Sequence, residues 1–216
     1  MSNQLILENY YLISVLMIGL AFLVFCFCYE KKKPQAREIV TLAVLSAIAI
    51  ASRAAFAMIP FFKPMMGIIM ITGMAFGAGA GFLTGAVTGF VSNFIFGQGP
   101  WTPWQMFAYG VGGALAGFFG KKGIMNENKK IPTAMIGYVI IQFIVGPLLD
   151  TCSIFTMGSN MQAGYALAIY GSGVIPNAIH GLATFLTLLL ACKPMMEKLN
   201  RMKLKYGMMS EDSDEI

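Results

Sequence analysis

Apolar residues run through this chain in blocks of membrane-spanning length, separated by short stretches that hold nearly all the charge. Residues 10–29 form the first block, closed by Glu30, Lys31, Lys32, Lys33 and Pro34. A bilayer core takes about 20 apolar residues of helix, so this block reads as a span. A cleaved signal peptide carries positive charge before its apolar run and small residues after it; the order here is reversed, which predicts an uncleaved helix. Residues 38–59 form the second block, with Ala43, Ala47, Ala51 and Ala55 at a four-residue interval. Side chains four apart share one helix face, so these alanines predict a smooth stripe that another helix can approach closely.

Residues 66–96 are too long for one span, since a single helix there would reach about 45 Å. Gly73, Gly77, Gly81, Gly85 and Gly89 recur every fourth residue, and the break is expected between Gly77 and Gly81. Two short helices meeting at a tight glycine turn and packing closely on each other are expected. Residues 106–119, 132–149 and 173–192 supply the remaining spans. A polar loop is expected at 151–162, partly helical chain at 163–170 and a frayed acidic end at 211–216. The expected fold class is therefore an all-α integral membrane protein, a six-helix bundle plus one extra N-terminal transmembrane helix. Its divisions are a helix and basic linker at 1–34, a membrane core at 35–193 and a cytoplasmic tail at 194–216.

Residues 93–105 depart from this pattern, reading Asn-Phe-Ile-Phe-Gly-Gln-Gly-Pro-Trp-Thr-Pro-Trp-Gln. Gly99-Pro100 and Thr102-Pro103 disfavour helix, because proline restricts the residue before it and lacks a backbone donor. A tight, rigid connection is expected. The amphipathic rings of Trp101 and Trp104 suit the level of lipid headgroups. Gln98, Thr102 and Gln105 add neutral hydrogen-bonding groups. A turn anchored by tryptophan would account for either ring alone; the whole run reads better as the mouth of a ligand site.

Composition fixes the broad class. The chain is 57% hydrophobic and 12% charged, with mean hydropathy +0.69, against about 25% charge in soluble domains. A length of 216 residues leaves no room for a large soluble domain beside these spans. Of the 15 Lys and Arg residues, only Arg53 and Lys63 fall away from the proposed cytoplasmic side. That asymmetry predicts an N-terminus outside and a C-terminus in the cytoplasm. It also explains the net charge of +5 without nucleic acid as a partner.

Arg53 lies sixteen residues beyond Arg37, about 24 Å along a helix and so in the outer part of the bilayer. A charge there needs a partner, water or a ligand, and Asp150, at the outer end of another helix, is the expected counter-ion. His180 sits about two turns into the last span with Asn177 one turn before it, and such a histidine is more often a packing residue than a ligand. Asn93 and Gln142 are polar groups in apolar helices that need partners from packing or substrate. The single histidine has no metal-ligand neighbours, and Cys26, Cys28, Cys152 and Cys192 imply no disulfide framework. Ser172 and His180 share one helix, whereas intramembrane serine proteases oppose these residues from different helices. No phosphate-binding loop is present, so the chain cannot couple ATP to transport by itself. No catalytic residue, metal or cofactor is expected.

The alanine ladder, the glycine-rich helices, the Gln98-Gly-Pro-Trp-Thr-Pro-Trp-Gln105 loop and the six closely spaced spans together resemble an S component of an energy-coupling factor (ECF) transporter. The resemblance covers residues 37–193, with residues 1–34 as an added span. It implies a non-enzymatic membrane subunit that captures a vitamin at the outer face and passes it to a membrane coupling subunit driven by two ATPases. The loops that would receive substrate are residues 60–66, 97–104 and 150–162. The face formed by Ala43, Ala47 and Ala51 would dock the coupling subunit, and the whole S component would topple so that its site opens inward. Candidate substrate-binding residues are Arg53, Lys63, Asn93, Gln98, Trp101, Trp104, Gln105, Asp150, Asn177 and His180, with Phe61, Phe62, Asn160 and Tyr165 beside them. This largely neutral, aromatic set suits a bulky uncharged or mildly anionic vitamin. The loop resembles that of cobalamin-type S components most, which puts a corrinoid first and riboflavin, a pterin or a queuosine-like base after it. The alternative is a structural or regulatory membrane subunit that binds no small molecule and assembles through its small-residue faces.

Overall fold

The computed structural model describes residues 36–157 and 163–207, together with Leu16 and Gly19. Among the described residues every regular element is helical: α1 (Ala36–Ala55), α2 (Met65–Phe76), α3 (Ala78–Phe96), α4 (Thr102–Lys121), α5 (Lys130–Ile140), a π-helical turn (Ile141–Val145), α6 (Gly146–Met157) and α7 (Ala163–Tyr206). Helix α5, the π turn and α6 follow one another without a gap. Ala36–Ala55, Ala78–Phe96, Lys130–Ile154 and Leu167–Tyr206 are each long and apolar enough to cross a bilayer, and Met65–Phe76 is a shorter apolar helix. The protein is thus a multi-pass membrane protein. The expected first span at 10–29 lies, apart from Leu16 and Gly19, outside the described residues.

Helix α2 occupies the centre, packed by α1, α3, α4 and α7. Its Met65, Met66, Ile69, Met70 and Ile71 are fully buried, which explains why the segment is apolar around its whole circumference and has no polar stripe. Tyr109, Ile141, Val145 and Leu188 close the core around it.

The break between α2 and α3 is a single residue. Gly77 adopts φ 92° and its N–H donates to the Gly73 carbonyl at 2.8 Å, after which the helix resumes at Ala78. Gly81, expected at the end of the break, sits inside α3 and has another purpose. A β-carbon on Gly73 or Gly81 would run into the Gly113 carbonyl of α4, one on Gly85 into Tyr109, and one on Gly117 would lie 2.5 Å from the Ala78 nitrogen. The glycine face of α2 and α3 therefore serves mainly to admit α4, backbone against backbone.

Several boundaries differ from expectation for identifiable reasons. Helix α1 stops at Ala55 and residues 56–64 turn back toward α2, with Phe61 at φ 62°. Helix α4 starts at Thr102 because Pro103 falls in the first turn, where its missing N–H costs nothing. Residues 151–157 continue α6 instead of forming a polar loop. Helix α7 has 44 residues and contains both Pro176 and Pro194, so at about 66 Å it exceeds the bilayer core about twofold. Its last turns belong to the fold: Met196 and Leu199 are buried, and Lys203 Nζ donates to the Ala75 carbonyl at 2.8 Å, at the end of α2.

Candidate functional site

The loop after α3 is shaped by two glycines with different tasks. Gly97 supplies φ 98°, which side-chain-bearing residues rarely adopt. Gly99 leaves room for the Trp101 ring, whose atoms would lie 2.5 Å from any β-carbon there. Thr102 then ties the loop together. Its hydroxyl accepts from the Gly99 N–H at 3.2 Å and from Asn93 Nδ2 at 3.1 Å, and donates to Gln98 Oε1 at 2.9 Å. Gln98 Nε2 in turn donates to the Phe90 carbonyl at 3.0 Å. These hydrogen bonds tie the loop to itself and to α3, but its two tryptophans part company. Trp101 is 42% exposed whereas Trp104 is 5% exposed, because the helix has already begun and turns Trp104 inward.

Behind the loop lies a charged relay. Arg53, buried near the end of α1, donates to Ser92 Oγ and, at 3.1 Å, to Asn93 Oδ1, while its guanidinium lies 4.5 Å from the Phe96 ring centre. This corrects the expected ion pair: Arg53 is satisfied by neutral acceptors on α3, and Asp150 Oδ2 instead accepts from Asn177 Nδ2 at 2.8 Å. Arg53 has only donors, so Asn93 must present its oxygen to it and its amide nitrogen elsewhere. That nitrogen donates to Gln105 Oε1 at 2.8 Å. Gln105 consequently turns its own amide N–H groups the other way.

Gln105 also lines a cavity of about 410 Å³, together with Phe61, Lys63, Trp101, Leu149, Asp150, Cys152, Ser153, Pro176, Asn177 and His180. Four stretches far apart in sequence build it: the turn after α1, the entry into α4, and the facing parts of α6 and α7. The π turn Ile141–Val145 immediately precedes α6, and such a turn shifts the register of the residues after it. Two glycines then let α6 and α7 close on each other. A β-carbon on Gly146 would meet the Asn177 side chain, and one on Gly173 would meet the Asp150 carboxylate. His180 is 3% exposed and its Nε2 has no hydrogen-bond partner among the described residues. The neighbouring Tyr109 ring, edge-on at 6.4 Å, has a buried hydroxyl in the same condition.

Of the ten candidate residues, the structure brings Lys63, Trp101, Gln105, Asp150, Asn177 and His180 to the cavity wall, whereas Arg53, Asn93, Gln98 and Trp104 are not part of it. Phe61 joins the wall and Phe62 does not, packing instead 5.4 Å from Phe56. Asn160 lies outside the described residues, and Tyr165 lies in α7. Gln142, flagged as needing a partner, has one long contact at 3.5 Å to the Val174 carbonyl and a buried Oε1 with none among the described residues. Ala43, Ala47 and Ala51 all lie on the exposed face of α1 with Val40, Val44 and Ile48. Sequence reasoning missed Ser92, and it did not see Thr102 as the hub. Adjacency to Asn93 and the Thr-Pro pair at a helix start were the available signals.

The chain matches the family model described as ECF-type riboflavin transporter, S component, over residues 33–196. No curated protein matches it, and no solved structure does.

Proposed function

The chain belongs to the ECF-type riboflavin transporter S component family, and we propose that it captures a flavin-like vitamin in the cavity beneath Trp101 for ATP-driven uptake by a partner module. The observation that carries this reading is the cavity itself, about 410 Å³, walled by two aromatic rings and a few convergent polar groups. That volume lies near the lower end of small-molecule sites, roughly 300–1,000 Å³. It suits a tricyclic ring with a short polar chain. A corrinoid, first choice from the loop alone, is several times bulkier and is disfavoured on size.

The polar groups suit a ring that offers carbonyl acceptors. With the Gln105 oxygen engaged by Asn93, its amide N–H groups remain for a ligand carbonyl. Arg53, Asn93 and Gln98 act as positioning residues behind it, and Trp104 as packing. Phe61 and Trp101 supply faces for stacking. Lys63 and Asp150 give the wall one charge of each sign, which matches an uncharged solute better than a dianion. His180 Nε2 takes from the ligand the hydrogen bond that no described residue gives it.

Coupling would run through Ala43, Ala47 and Ala51, against which a membrane coupling subunit docks while two ATPases supply energy. The N-terminus lies outside and the C-terminus in the cytoplasm, from the distribution of lysines. The test is a titration of the purified protein with riboflavin, read by flavin and Trp101 fluorescence, beside cyanocobalamin read by absorbance. Saturable riboflavin binding is expected, falling about 100-fold in Gln105→Glu, where an acceptor replaces the donor. Failure of riboflavin to bind overturns the flavin reading. If cyanocobalamin binds instead, the corrinoid returns. If neither binds, the assembly-only alternative gains.

A further inference from the structure

We propose that a lysine-lined groove at the opposite end of the bundle, between the start of α5 and α7, holds the headgroup of an anionic phospholipid. The groove has a volume of about 470 Å³, and its wall includes Lys129, Lys130, Lys193, Ile131, Pro132 and Leu189. It contains no carboxylate. From Lys130 to Asp150, on the wall of the vitamin cavity, the chain climbs twenty residues of near-continuous helix, about 30 Å and thus one hydrocarbon thickness. The groove therefore sits at the second bilayer boundary, where phosphates lie. This rests on the membrane character of the chain and not on what the vitamin cavity binds.

Three features distinguish the groove from scattered surface charge. The cations are little used by the protein: the ion pair of Lys193 with Glu197 is long at 3.9 Å, with both side chains largely exposed, and Lys129 and Lys130 form none among the described residues. A partner this exposed holds a lysine weakly, and a phosphate can displace it. The first turn of α5 adds no competing acid, having neither an acidic residue nor a side-chain cap. Below the lysines, Ile131, Met135, Val139 and Phe143 are 63%, 50%, 45% and 69% exposed. Spaced four residues apart along α5 and into the π turn, they form an apolar track down which an acyl chain can lie. Cations above an apolar track, between two membrane helices, match an anionic lipid at both its ends. A free anion would use only the upper part.

The experiment is native mass spectrometry of the full chain in detergent supplied with equal phosphatidylglycerol and phosphatidylcholine. The wild type is expected to retain phosphatidylglycerol preferentially, and K129Q/K130Q/K193Q to lose that preference by at least about tenfold, each lysine near an anionic surface contributing several-fold. The control K121Q/K122Q/K198Q, with the same charge change elsewhere, is expected to keep it. Equal loss in the control means diffuse surface charge and overturns the site. Displacement of the lipid by inorganic phosphate overturns it in favour of a simple anion site. Unchanged retention in the triple variant overturns it outright. A photoactivatable phosphatidylglycerol on the wild type gives an independent reading, with crosslinks expected between residues 131 and 143 or at 189–190. Crosslinks elsewhere refute the proposal without any variant.

Discussion

Two ladders of small residues at a four-residue interval have opposite fates in this molecule. Gly73, Gly81 and Gly85 disappear against α4, so closely that no β-carbon fits. Ala43, Ala47 and Ala51 on α1 face outward beside Val40, Val44 and Ile48, exposed among the described residues. The periodicity is the same, so periodicity alone reports only that a helix can be approached closely. The residue type separates the two. Glycine is required where backbone meets backbone, whereas alanine keeps helix propensity and leaves a shallow surface for side chains of a partner. The comparison also shows that α1 is two-faced: Leu42, Leu45, Ala49 and Arg53 point inward, and the alanines do not.

The largest expected effect follows from the buried ladder. In Gly81→Leu the new side chain meets the Gly113 backbone, which cannot shift like a flexible side chain. A loss of more than about 3 kcal/mol is expected, seen as aggregated or unrecoverable protein by size exclusion in detergent. A monodisperse Gly81→Leu protein with unchanged thermal midpoint would show that the two ladders are alike after all.

Next is the junction where α1's inner face meets α3. Asn93→Leu removes one of the two acceptors of Arg53 and the donations to Thr102 and Gln105. Leaving a buried guanidinium short of an acceptor costs about 2 kcal/mol. Vitamin affinity should fall as well, because Gln105 loses its orientation. The check is the thermal midpoint together with the flavin titration. A stable variant with normal affinity would separate the relay from the cavity.

How much of this was legible beforehand depended on whether an interaction is local. The membrane class, the alanine face and the special loop follow from composition, the 3.6-residue period and the chemistry of glycine and proline, all of which are local. Lys63, Trp101, Gln105, Asp150, Asn177 and His180 could be flagged as polar or aromatic residues in the wrong setting, and they meet at one cavity. The partners could not be read so easily. Arg53 was matched with the nearest plausible opposite charge, while the fold satisfies it with neutral oxygens on α3. Charge attracts attention in a sequence, but a hydroxyl beside an amide, as at Ser92 and Asn93, does not. The length of α7 was not read either, since a span was expected at 173–192, whereas one helix runs from Ala163 through Pro176 and Pro194 to Tyr206.

A smaller effect tests a second distinction, within the glycine ladder itself. Gly77 keeps the four-residue count but has no atom near the position of a β-carbon. Its φ of 92° is the constraint. Gly77→Ala should therefore cost about 1–3 kcal/mol, the price of a strained backbone, and leave the helix contacts intact. The measurement is the difference in thermal midpoint between Gly77→Ala and Gly81→Leu. If Gly77→Ala is as damaging as Gly81→Leu, contact and not conformation governs both positions.

The smallest change to the isolated protein is expected from Ala47→Leu, and it is the most telling for the bare ladder. Ala47 is exposed in the middle of that face, so a larger side chain has room among the described residues and stability should stay within about 0.5 kcal/mol. Riboflavin binding should also be unchanged, since the cavity lies on other elements. A partner helix seated on the alanines, however, would be pushed away by a side chain three carbons larger, in a setting where van der Waals fit supplies most of the attraction. Uptake by cells and co-purification with the coupling subunit should then fail together while binding survives. Retained uptake would mean that no coupling subunit docks on this face. Lost binding would mean that α1 communicates with the cavity through Arg53, and the division of α1 into a fastened face and an open one would fall.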